Sequence, residues 1–178
     1  MSSDSAKSIE SFAVDAALLD AGKFASKHGQ AFLLRALFDG VLQPTPVNER
    51  DAYKGTHKIP RLDLLVGNRL QSPEATYAYS LGDLAGPVSV GRASSNRVCI
   101  DDVSLSAQHA EIELRDDGEL YVTDKGSTNG TAIGDGKLTF GNPTQVPFGK
   151  VLVFGSVKLT LLRATQFMDF VRTVTSPD

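Results

Sequence analysis

Apolar residues change their spacing along this chain in a way that divides it. Ile9, Phe12, Ala16 and Leu19 recur at intervals of three and four, which places them on one face of a helix. Gly22 weakens the run, and Lys27-His28-Gly29 predicts its end, with basic residues in the last turn and glycine just past it. A second, shorter helix is expected over residues 31–38, stopping at Asp39-Gly40; it is apolar nearly all round, with Arg35 its single charge. Two short helices cannot bury such a surface between themselves. They must pack on the rest of the chain, on a second copy or on another protein.

Residues 41–60 are different in character. Pro44 and Pro46 flank Thr45, and a mostly polar stretch runs on to Pro60, the composition of a partly extended linker. Residues 62–70 read as either a short helix or a strand.

From Thr76 the pattern is that of β-structure. Short apolar runs at 76–80, 88–90 and 98–100 precede the clearest alternation, 109–114, where Ala110, Ile112 and Leu114 face one way and Glu111 and Glu113 the other. Asp116-Asp117-Gly118 supplies a turn into the run 119–123, so the two form a hairpin. Further strands are expected at 131–133, 137–140, 151–154 and 157–162, with Gly134-Asp135-Gly136 and Gly155-Ser156 as turns. The tail 164–174 has a helical apolar face of Phe167, Phe170, Val171 and Val174. The fold class expected is therefore mainly β: an antiparallel sandwich with an N-terminal helical segment and a short C-terminal helix. Its divisions are 1–42 helical, 43–72 linker, 73–163 sandwich and 164–178 helix and tail.

Composition narrows the function classes. The 178 residues are 41% hydrophobic and 22% charged, with a formal net charge of -3. The first sixty are balanced, seven basic against seven acidic, so the deficit lies in the remainder, eleven against fourteen. A nucleic-acid binder would show a basic excess or stripe. One cysteine, Cys99, cannot form an intrachain disulfide and points to a reducing compartment. Met1 is followed by polar residues, and no apolar run approaches the roughly 20 residues of a membrane span. A cytoplasmic protein without a cofactor is expected.

Between the predicted strands lie three polar clusters: Gly91-Arg92, Ser106-Ala107-Gln108-His109, and Ser127-Thr128-Asn129-Gly130-Thr131. A phosphate group on a peptide carries about -1.5 to -2 charge and three strong acceptor oxygens, so gripping one next to an extended main chain needs a fixed cation and short donors. Arg92 offers a permanently charged planar fork, and Ser106 a hydroxyl at a loop tip. Asn129 has both a donor and an acceptor, as needed to hold an extended peptide main chain. Gly130 permits the positive φ of a tight turn.

In order and spacing, Gly91-Arg92, Ser106-x-x-His109 and Asn129-Gly130 resemble the forkhead-associated (FHA) domain family, and Phe148 to Gly155 resembles its closing strand pair. The likeness covers roughly residues 75–163. It implies a β-sandwich that binds phosphothreonine peptides through loops at one end, as an adaptor on a Ser/Thr kinase pathway whose partner is a kinase or its substrate. It further implies phosphate contacts from Arg92, Ser106 and Thr128, main-chain contacts from Asn129, and loop-structuring roles for Gly91, His109 and Gly130. The chain departs from the family at Ala107, where many members carry arginine, lysine or asparagine. One lost contact weakens binding by about 0.5–3 kcal/mol, unless Arg97 or Lys125 compensates. Ser104 occupies a position that in some members reads the peptide beyond the phosphothreonine.

Other readings compete. The same fold could serve as a scaffold or oligomerisation module for a non-phosphorylated partner, with the helices joining copies. A serine hydrolase would use Ser106, His109 and Asp101 or Asp124, but no strand-serine-helix elbow accompanies them. Cys99, His28, His57 and His109 lack the spacing of metal ligands, and Cys99 is expected to be a buried strand residue. Thr45, Thr56, Thr173 and Thr175 could be phosphorylated and dock on the chain's own site or a neighbour's; solvated linker threonines are the plainer reading.

Overall fold

The computed structural model describes residues 5–35 and 76–175. The expected linker at 43–72, with Thr45, Thr56 and His57, lies outside them, as does the undecided element at 62–70.

Two sheets face each other. The first has seven strands: β1 (Lys7–Ser8), β2 (Ala31–Arg35), β3 (Tyr77–Ser80), β8 (Thr131–Ile133), β9 (Gly136–Lys137), β11 (Val151–Phe154) and β12 (Val157–Arg163), in the order β1-β3-β2-β12-β11-β8-β9. The second has β4 (Val88–Gly91), β5 (Val98–Cys99), β6 (Ala110–Leu114), β7 (Leu120–Asp124) and β10 (Thr144–Gln145), in the order β10-β7-β6-β4-β5. All pairs are antiparallel except β4–β5. Between the sheets lies a core of Leu33, Tyr79, Val88, Val90, Val98, Ile112, Val122, Leu152, Phe154 and Leu161.

The expected second helix is a strand where the structure describes it. Ala31–Arg35 forms β2, paired with β12 on one side (Phe32 opposite Leu162) and β3 on the other (Phe32 opposite Ser80). Ala31 and Leu33 enter the core between the sheets, while Phe32 and Leu34 enter a second core on the outer face. A strand buried on both faces reads as an unbroken apolar run, which periodicity cannot tell from a buried helix.

That second core is capped by helices. A single 3-10 turn (Ile9–Phe12) leads into α1 (Ala13–Leu18), and α2 (Ala21–His28) follows after a break at Leu19–Asp20. The break lies before Gly22 because the Asp20 carboxylate caps α2, accepting from the Lys23 N–H at 2.9 Å. Gly29 ends α2 at φ +119°, as the basic-then-glycine signal predicts. The expected C-terminal helix forms as α3 (Ala164–Thr175). Phe12, Phe24 and Phe32 pack around Phe167, with Phe32 and Phe167 stacked at 4.2 Å. Arg172 of α3 donates to the carbonyls of Ala16 (2.5 Å) and Leu19 (3.1 Å), satisfying acceptors that the end of α1 leaves open. Among the described residues the helices therefore pack on their own sheet. No helix there is long and apolar enough to cross a membrane.

Candidate functional site

The three polar clusters meet at one end of the sandwich. Gly91 closes β4, and a Cβ there would overlap the Ala107 carbonyl and approach Asn96 Nδ2 at 2.8 Å. Close approach of two loops, not backbone strain, is why this position suits glycine. Across the gap the Arg92 N–H donates to the Ser106 carbonyl (2.9 Å) and the Ala93 N–H to the Ala107 carbonyl (3.1 Å). Asn96, buried, donates its amide to both Ala93 (2.8 Å) and Ala107 (2.6 Å). The Arg92 side chain is exposed.

Ser106 and Thr128, 22 residues apart, touch directly. The Thr128 N–H donates to Ser106 Oγ at 3.0 Å, and the two hydroxyls lie 3.4 Å apart. Asn129 donates Nδ2 to the Ser104 carbonyl at 2.8 Å; its carbonyl oxygen has no hydrogen-bond partner among the described residues. Gly130 has φ +86°, so the expected left-handed turn is present.

His109 is fully buried beneath these loops. Its Nδ1 accepts from the Ser106 N–H at 3.1 Å, and its Nε2 faces the Gly130 carbonyl at 3.1 Å. An acceptor role at Nδ1 requires the neutral tautomer with the proton on Nε2, which then donates to Gly130. Burial pushes the imidazole below its ordinary value, against the opposing pull of the Gly130 bond and the Asp124 charge. Both ring nitrogens face the backbone, which leaves neither directed at the Ser106 hydroxyl as a hydrolase would need.

Asp124 holds the third loop. Its Oδ1 accepts from the N–H groups of Gly126 and Ser127 (2.9 Å each), and its Oδ2 from the hydroxyls of Ser127 and Thr131 (2.6 Å each). The Ser127 hydroxyl accepts in turn from the Gly130 N–H at 3.0 Å. Burial would raise this carboxyl, but the Ser127 and Thr131 bonds together hold it below the ordinary range. As a possible triad acid, Asp124 is thus fully occupied with its own loop.

Ser104 is engaged within the fold. Its hydroxyl donates to Asp102 Oδ1 (2.7 Å) and lies 2.9–3.0 Å from the hydroxyl and N–H of Ser156. That Ser104 bond holds the Asp102 carboxyl below the ordinary range. The two cations considered as substitutes for a side chain at 107 are also engaged elsewhere. Lys125 pairs with Glu111 at 3.0 Å, and the Arg97 guanidinium packs over Gly82. Asn96 and the bracing by Asp124 were not singled out in the sequence; an asparagine five residues after Gly91 and an aspartate ending an alternating strand carry no distinctive spacing. Among the described residues no group of three or more His, Cys, Asp or Glu could hold a metal ion.

Fold and site together define a β-sandwich that gathers hydroxyl and amide groups held by hydrogen bonds, and an exposed guanidinium, on loops at one end. Residues 88–155 match the FHA domain family. The FHA domain-containing protein FhaB of Mycobacterium tuberculosis is 36% identical over 75 residues, covering 42% of this chain and 46% of that protein. FhaB of Mycolicibacterium smegmatis matches to the same extent. The chain thus spans about half the length of these relatives. The solved FHA domain of the CT664 protein from Chlamydia trachomatis, 20% identical, aligns over 74% of this chain and 96% of that one, with a TM-score of 0.44.

Proposed function

We propose that the chain is a non-catalytic recognition module that binds phosphothreonine on a protein partner. The single observation that carries this reading is the meeting of Ser106 and Thr128 beside Arg92. Two hydroxyls from loops far apart in sequence are held side by side by the Thr128 N–H bond, and the backbone of Arg92, whose side chain is exposed, is hydrogen-bonded to Ser106. Such a group of short donors beside a permanent cation suits a dianionic phosphate. The roles follow from position. Arg92, Ser106 and Thr128 take the phosphate, and Asn129 uses its free carbonyl oxygen and N–H on the peptide main chain. Gly91, His109 and Gly130 keep the three loops in register.

The partner class is a protein phosphorylated by a Ser/Thr kinase, or such a kinase itself, in the cytoplasm. Isothermal titration of a phosphothreonine peptide library against the wild type and Arg92→Ala tests the proposal. Phosphate-dependent binding that the variant loses is the expected result. Equal binding of phosphorylated and unphosphorylated peptides would favour a scaffold for an unmodified partner instead.

A further inference from the structure

Two glycines bracket the loop that carries Thr128 and Asn129, and a single segment covers both. Gly126 and Gly130 have φ +85° and +86°. A Cβ on Gly130 would meet Lys137 Cε at 2.8 Å, with Nζ at 3.5 Å. A Cβ on Gly126 would meet Phe140 Cε2 at 3.2 Å. The lysine stem and the aromatic ring thus lie against the two ends of the loop instead of standing away from it.

The backbone beneath them is pinned. Lys137 pairs with Ala132 across β8–β9, the Leu138 N–H donates to the Thr131 carbonyl (2.9 Å), and the Gly141 N–H donates to the Asp124 carbonyl (3.0 Å). Asp124 is the residue that shapes the loop, so ledge and loop are one unit. Both side chains are nevertheless open to solvent. Phe140 is 71% exposed, unusual for a phenylalanine, and the exposed Lys137 ammonium has no carboxylate partner among the described residues, whereas Lys125 is neutralised by Glu111.

We infer that Lys137 and Phe140 are specificity-determining residues: the ledge they form reads two side chains flanking the phosphothreonine, one acidic at Lys137 and one apolar at Phe140. The inference rests on the phosphothreonine reading. It follows from continuity, because a peptide whose main chain is held at Asn129 leaves the loop past one or both of its ends. Side chains project alternately from an extended peptide, so residues near the phosphothreonine come within reach of the ledge.

The test is a phosphothreonine peptide array in which each flanking position is set in turn to Asp, Leu, Ser or Lys, probed with wild type, Lys137→Gln and Phe140→Ser. Thermal melting confirms that each variant is folded. The wild type should favour Asp over Ser at one flanking position by about two- to fivefold, the range of an exposed ion pair, and should favour Leu over Ser at another. The Asp-to-Ser ratio should fall toward one in Lys137→Gln, and the Leu-to-Ser ratio in Phe140→Ser. A wild type that binds phosphopeptides without these preferences, or variants that keep them, overturns the inference and leaves the phosphothreonine reading standing. A wild type that binds no phosphorylated peptide removes that reading first, and this one with it.

Discussion

The loop end and the helical cap of this domain are held together by different physics. At the loop end, position is set by hydrogen bonds between polar side chains and backbone: Asn96 to Ala93 and Ala107, His109 to Ser106 and Gly130, and Asp124 to four donors in its own loop. At the cap, Phe12, Phe24, Phe32 and Phe167 fill a core against the outer face of the first sheet. Hydrogen bonds are directional and individually modest, so they suit a surface that must hold specific groups in place while facing water. Apolar burial is non-directional and larger per residue, so it suits an element whose task is to stay attached. Damage to the cap should therefore cost stability, and damage to the loops should cost binding.

The largest test of that contrast is Phe167→Ala. The ring is fully buried against Phe12, Phe24 and Phe32, so the substitution should destabilise the domain by about 3–5 kcal/mol in urea unfolding. Phosphopeptide affinity should hold wherever the variant remains folded. A large affinity loss at full folding would show that cap and loops are coupled.

Arg92→Ala should do the reverse. Losing a charge-assisted contact should weaken phosphopeptide binding by about 1.5–3 kcal/mol, roughly 10- to 150-fold, with unfolding free energy changed by less than about 0.5 kcal/mol. Asp124→Ala sits between the two. It leaves the donors of Gly126, Ser127 and Thr131 without their acceptor, and should lower both stability, by about 1–3 kcal/mol, and affinity. A loss of stability without a loss of affinity would mean that Thr128 and Asn129 keep their places unaided.

The smaller tests concern charge. His109 is held below its ordinary value of 6.5 by burial, so below that pH the unfolded chain binds the proton that the folded one refuses. Its contribution is complete above 6.5 and is lost as the pH falls from there toward the folded value, at no more than about 1.4 kcal/mol per pH unit. Nitrogen NMR of the imidazole should find the Nε2–H tautomer persisting below pH 6.5; a charged ring at that pH would contradict the loop geometry. Raising salt from 0.05 to 0.5 M should weaken phosphopeptide binding by screening Arg92, and should leave the apolar cap no less stable.

Much of the site could be read from the chain because its chemistry is local. Arg92, Ser106, Thr128 and Asn129 each occupy a short polar cluster between alternating strands, and their order is visible without a structure. The groups that hold them are less visible. Asn96 and Asp124 act across loop contacts that no periodicity marks, and Ser104 braces the Gly155–Ser156 turn from 52 residues away. Lys137 and Phe140 become notable only where their side chains meet Gly130 and Gly126.

The same division runs through the whole molecule. Alternation at 110–114, the turn after Arg115, the capped end of α2 and the amphipathic tail were determined by residues close together in sequence, because dihedral preference and side-chain direction are local properties. Tertiary structure alone decided that Ala31–Arg35 is a strand, since Phe32 and Leu34 meet helices on one face while Ala31 and Leu33 meet the opposite sheet on the other. It alone decided that Asn96 and Asp124 hold the loops, because that depends on what each meets across the fold.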